Sequence, residues 1–135
     1  MKIVDYANKY LFEPLGIKKH INSSAETAED MAKIGLVCLN KGNYNGKKIV
    51  SSKWINEMTK PRVVESKYFR GMEYVYLWWI IDNKKNIYSA IWNSGDVIYI
   101  NPEKNIVVSV ASYFKPTIFD RVDFIQEYIE SFIIE

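Results

Sequence analysis

The chain has 135 residues, with eighteen Lys and Arg against sixteen Asp and Glu, a formal charge of +2. That near balance excludes a polybasic nucleic-acid arm or an acidic tail, since either needs a strong local field. Hydrophobic residues at 48% and charged residues at 25% exclude wholesale disorder, and no apolar run approaches the roughly 18 to 20 residues that span a bilayer.

The first six residues place Asp5 where a leader would carry its apolar stretch, so the chain as it stands reads as cytoplasmic. A helix is expected over 2–12, with Ile3, Val4, Ala7 and Leu11 on one face, ended by Pro14 and Gly16. Thr27 and Asp30 have capping-box spacing and start a second helix. Met31, Ile34, Gly35, Cys38 and Leu39 recur at helical spacing behind them, and Gly42 supplies a left-handed stop. Residues 41–48 are dense in turn formers and predict a small hairpin. A short helix from Ser51 or Ser52 carries Trp54, Ile55 and Met58 as far as Lys60, because Pro61 forbids continuation. Residues 62–72 read as a polar loop.

The pattern then turns to β. Runs at 73–81, 86–92, 96–100 and 105–113 are separated by the turn-forming stretches 82–85 and 101–104. Short consecutive connections favour an antiparallel meander. Pro116 to Asp120 begins a closing helix to residue 135, with Ile118, Val122, Ile125, Ile129 and Phe132 as its buried stripe. The fold class is therefore α+β, an antiparallel β-meander with flanking helices in one domain: a helical part at 1–61, a loop at 62–72, a sheet at 73–113 and a closing helix at 116–135.

Little in this chain suggests metal or nucleophile chemistry. His20 is the only histidine and Cys38 the only cysteine. Neither sits in a ligand cluster, so no metal or cofactor is expected, and Cys38 reads as a small buried hydrophobe. Ser112 and Lys115 satisfy Ser-x-x-Lys, but Ser112 ends a predicted strand and Pro116 follows Lys115, whereas that chemistry needs both side chains on one helical face. Tyr6-Ala7-Asn8 mimics Tyr-x-Asn in the same accidental way.

The informative segment is Asn93-Ser94-Gly95, at the junction of two strands. With its flanks, the chain resembles the C-terminal half of the serine β-lactamase and penicillin-binding-protein superfamily, above all its class C β-lactamase-like esterases and amidases. The likeness runs in order along nearly the whole chain. It takes in Phe12-Glu13-Pro14-Leu15-Gly16-Ile17, then 28–35 and 39–42, then 45–51 with Trp54, then 76–80, and finally 90–102 continuing into 105–108. The resemblance implies ester or amide hydrolysis through an acyl-serine. It places Asn93, Ser94 and Gly95 where the family's substrate-facing strand carries Lys-Thr-Gly, with Trp92, Asp96 and Tyr99 as neighbours. Asn93 removes the cation of that motif and Asp96 adds a negative charge, which argues against anionic substrates.

The family's nucleophilic Ser-x-x-Lys and its Tyr-x-Asn lie upstream of the region resembled. The expectation is therefore a C-terminal fragment without catalytic residues of its own, inactive alone, completed by a missing N-terminal hydrolase half or by a homodimer. The competing reading is a non-catalytic domain that binds a peptide, a cell-wall fragment or a protein partner along its sheet edge. Trp78, Trp79 and Phe69 are the aromatic surfaces expected to be left bare.

Overall fold

Two serine-type caps set the helical part. The computed structural model describes residues 1–18, 27–62, 72–92, 95–112 and 120–133. His20, Phe69, Lys115, Ile118 and most of the 62–72 loop lie outside them. Thr27 Oγ1 accepts the Asp30 N–H at 3.1 Å and opens α2, Ala28–Leu39. The Asp30 carboxylate instead faces Lys33, whose Nζ lies 3.5 Å from Oδ1. Ser51 Oγ likewise accepts the Trp54 N–H at 3.1 Å and opens α3, Ser52–Met58. The stop after α2 is shared. Lys41 and Gly42 both take positive φ, and their N–H groups close onto the Cys38 and Val37 carbonyls. The predicted hairpin follows as β1 (Asn43–Tyr44) and β2 (Lys47–Lys48).

The first helix departs from its expected face. It runs as α1, Ile3–Ala7, then a π-helical turn over Asn8–Phe12 and a 3₁₀ turn over Glu13–Leu15. Ile3 and Val4 are exposed, while Leu11 and Phe12 pack onto Leu15, Ile17 and Val37. The wider π turn rotates the buried face away from the 3.6-residue register that the sequence pattern assumes.

The predicted strand at 73–81 is two strands. β3 (Glu73–Val75) and β4 (Trp78–Asp82) pair antiparallel across a two-residue turn, Tyr76–Leu77, whose φ values are 47° and 72°. Positive φ at both central positions matches the twist of a tight hairpin, although neither residue is the usual Asn or Gly. β5 (Ile87–Ile91), β6 (Val97–Asn101) and β7 (Ile106–Val110) continue the meander, giving one antiparallel sheet in the order β3-β4-β5-β6-β7. Trp78, expected to be bare, is instead buried edge-on to Tyr88. Trp79 is half-buried against Tyr74.

Both faces of this sheet are covered. Ile98 and Ile100 of β6 join Met31, Cys38, Ile55 and Met58 beneath α2 and α3. Val97 and Tyr99 alternate to the other face, against Val122 and Ile125 of the closing helix. That is why β6 reads Val-Ile-Tyr-Ile, with no polar alternation. Contact on the α2 side is close. A Cβ on Gly35 would lie 2.5 Å from Val107 Cγ1, so only glycine lets the helix backbone sit on the sheet there.

The closing helix is α4, Asp120–Phe124, followed by a π turn over Ile125–Ile129 and a 3₁₀ turn over Glu130–Phe132. Phe132, placed by periodicity in the buried stripe, is 75% exposed, while Glu130 is buried. The five-residue step from Ile125 to Glu130 is the i, i+5 spacing of the π turn. Among the described residues, no helix is long and apolar enough to cross a membrane.

Candidate functional site

The β5–β6 junction is a closed turn. The Gly95 N–H donates to the Trp92 carbonyl at 2.9 Å, and the Trp92 N–H to the Asp96 carbonyl at 3.0 Å. Asn93 and Ser94, the first two residues of the predicted substrate-facing triplet, lie outside the described residues. Gly95 is buried at φ 91°, a conformation that side chains rarely adopt.

Three elements meet at this glycine. Arg121, on α4, lays its guanidinium against Gly95, so that an added Cβ would stand 2.5 Å from Cζ and Nη1 and 2.7 Å from Nη2. Arg121 Nη2 also donates to Ser112 Oγ at 2.6 Å, and the Ser112 N–H donates to Asp96 Oδ1 at 2.8 Å. A ring of contacts thus runs Gly95–Arg121–Ser112–Asp96, tying the turn to the end of β7 and to the closing helix. The Asp96 carboxylate holds backbone here, and a cation sits beside the glycine although the strand itself carries none. Charge-assisted bonds of this kind are roughly twice as strong as neutral ones, and they tie Asp96 and the end of β7 to the closing helix.

Of the other sequence-selected neighbours, Trp92 is 44% exposed at the turn. Tyr99 is not on this surface. Its ring is fully buried under the closing helix, and its hydroxyl donates to Glu130 Oε1 at 2.8 Å. Two positions beyond Val97, it belongs to the face that meets the helix, so it supports the strand and offers nothing to a ligand. Arg121 is the residue that sequence reasoning missed. A single arginine in a predicted amphipathic helix carries no local mark of the turn it will touch.

Ser112, the serine of the accidental Ser-x-x-Lys, stands just past β7, and Lys115 lies outside the described residues. Burial pushes the Cys38 thiol up to about 12, which keeps it protonated and poorly nucleophilic. Among the described residues, no group of three or more His, Cys, Asp or Glu gathers to hold a metal ion.

No family model matches the chain, and no curated protein matches it. Chains of solved structures do. One, named "Putative 6-aminohexanoate-dimer hydrolase from Bacillus anthracis", is 30% identical with a TM-score of 0.57. The match covers 78% of this chain and 28% of that one, so this chain spans little more than a quarter of its neighbour's length. That neighbour belongs to the β-lactamase-like superfamily. The fold resembles the C-terminal part of the β-lactamase-like fold. The likeness supports a hydrolase fold of that superfamily.

Proposed function

We propose that this chain supplies the substrate-facing strand of a β-lactamase-like serine hydrolase and is inactive by itself. The observation that supports this most is the likeness to the Bacillus anthracis neighbour over 78% of the chain, at an identity above that of a shared fold alone. The reaction would be ester or amide hydrolysis through an acyl-serine, with the serine, its lysine and the Tyr-x-Asn pair contributed by another segment or chain. In this reading Asn93, Ser94 and Gly95 line the substrate, with Trp92 beside them. Gly95 lets the Arg121 guanidinium approach the backbone closely. The Gly95–Arg121–Ser112–Asp96 ring holds the strand end in place, and positioning of this kind is what a partner carrying the nucleophile would require.

Without a serine–base pair, acyl transfer loses both its covalent step and its proton shuttle. The 135-residue chain alone should neither turn over a short-chain nitrophenyl ester or a chromogenic cephalosporin, nor form an adduct with a penicillin or a fluorophosphonate. Intact-protein mass spectrometry reads this directly. A stoichiometric adduct on Ser94 or Ser112 would sink the proposal. Restored turnover on adding a segment that bears Ser-x-x-Lys and Tyr-x-Asn, lost again in a Ser94→Trp variant, would support it.

A further inference from the structure

A second concavity lies at the other end of the sheet. It is about 440 Å³ in volume and opens between α2, α3 and the turns on either side of β5 and β6. Asn86, which precedes β5, and Pro102, which follows β6, both line it. Trp92 and Gly95 stand at the opposite strand ends, six and seven residues away, roughly 20 Å or more at about 3.4 Å of rise per residue. The pocket is therefore separate from the β5–β6 junction. Its size falls within the roughly 300 to 1,000 Å³ of small-molecule sites.

The charges it shows have one sign. Among the described residues, Lys41 and Lys60 line it and no Asp or Glu does. Glu57 of α3 is drawn off by the Arg62 guanidinium, and Glu103, although next to Pro102, is not among the lining residues. Burial raises the pKa of Cys38 and Tyr88, which also line the pocket, so both remain neutral and put no anion beneath it. Asn56 and Asn86 add uncharged amide donors. The Thr59 hydroxyl is turned onto the Ile55 carbonyl at 2.9 Å, and Leu39, Ile55, Pro61 and Pro102 give the wall its apolar part. A cationic mouth over an apolar wall suits a ligand with one negative head and a hydrocarbon stem. A polyphosphate would leave that wall unmatched and would find only two flexible ammonium groups for several charges.

We propose that this pocket binds a small monocarboxylate with a short apolar stem, its head between Lys41 and Lys60 and its stem against Leu39, Ile55 and Pro61. The test is a ¹H–¹⁵N titration of the intact chain with octanoate, 1-octanol, octylamine and inorganic phosphate. Octanoate should give saturable shifts centred on Cys38, Thr59, Asn86 and Tyr88, at least tenfold tighter than octanol. Octylamine and phosphate should shift these amides little. A Lys41→Gln/Lys60→Gln double variant should lose at least tenfold in octanoate affinity while keeping its melting curve. Both lysines are exposed, so the core is untouched. The single variants supply the same reading should the double variant fold poorly. Equal binding of octanol, preference for octylamine, or octanoate shifts centred on residues 92–97 would each overturn the proposal. So would the absence of saturable shifts at millimolar octanoate.

Discussion

The buried carboxylate of Glu130 is the most demanding joint in this fold. It is 8% exposed, and its Oε1 accepts the Tyr99 hydroxyl at 2.8 Å and Asn101 Nδ2 at 2.6 Å. Lys104 closes the cluster, with Nζ 3.2 Å from the Glu130 carbonyl and 3.9 Å from Oε2. Glu130→Ala removes the acceptor and leaves two donors buried, on residues at most 2% exposed. Gln126 cannot replace it, because its Nε2 donates to the same Tyr99 oxygen at 3.3 Å. An unsatisfied buried donor costs about 1–3 kcal/mol, so the pair should cost about 2–6 kcal/mol. Glu130→Gln keeps an acceptor and exchanges charged hydrogen bonds for neutral ones, a loss of roughly 1–2 kcal/mol. Relief from burying a charge offsets part of that. Urea unfolding at constant slope measures both variants. A double-mutant cycle of Glu130→Ala with Asn101→Ala should return a coupling of about 1 kcal/mol or more. A Glu130→Ala cost within about 0.5 kcal/mol, the range of an ordinary surface change, would refute the reasoning. So would strict additivity with Asn101.

Cys38 should give the protein an alkaline weakness. Its folded value of about 12 lies above the unfolded 9.0, so the stabilisation is complete below pH 9 and is lost as pH rises toward 12, at about 1.4 kcal/mol per unit. Cys38→Ala should cost stability at neutral pH and lose that deficit above pH 9, and stability-against-pH curves that stay parallel would contradict this. Gly95→Ala meets both the positive φ and the Arg121 guanidinium, and should cost about 1–3 kcal/mol in thermal or urea melts. Combining it with Arg121→Ala should cost less than the sum of the two, whereas additivity would mean that the contact carries no strain. Finally, β7 is an edge of the sheet among the described residues, and Ile3, Val4, Tyr6 and Tyr10 leave apolar surface at the first helix. We expect a two-fold dimer at micromolar concentration by sedimentation, and a cooperatively melting monomer would show that neither surface needs covering.

What could be read in the sequence followed from how local each determinant is. Thr27 and Ser51 announce their helices because the capping hydroxyl and the amide it covers lie three residues apart. The runs that became β5, β6 and β7 were legible because turn formers bound them on both sides. The β3–β4 hairpin was not, because Tyr76 and Leu77 occupy positions where positive φ usually calls for Asn or Gly. Helical faces failed for a related reason. Phe132 fits a 3.6-residue stripe, yet the π turn over Ile125–Ile129 adds a residue to the turn and moves every later side chain around the axis.

At the candidate site the boundary between legible and hidden falls between Gly95 and Arg121. Residues 93–95 stand out in the sequence by their resemblance to the family's Lys-Thr-Gly strand, in which the glycine marks a place where backbone comes close to something. What comes close is a guanidinium from the closing helix, far along the chain. Only the packing of that helix across β6, through Val122, Ile125 and the Glu130 cluster, brings it there. The helix register that sets Arg121 against Gly95 is thus the same register that buries Glu130. Loosening the far end of the helix should therefore reach the turn. In Glu130→Ala, hydrogen exchange at the Gly95 amide should quicken along with exchange in β6, although the substituted carboxylate makes no contact with the turn. Unchanged protection at Gly95 would mean that the Arg121 ring holds the β5–β6 junction independently, and the helix would then act as two separate clamps instead of one rigid lever.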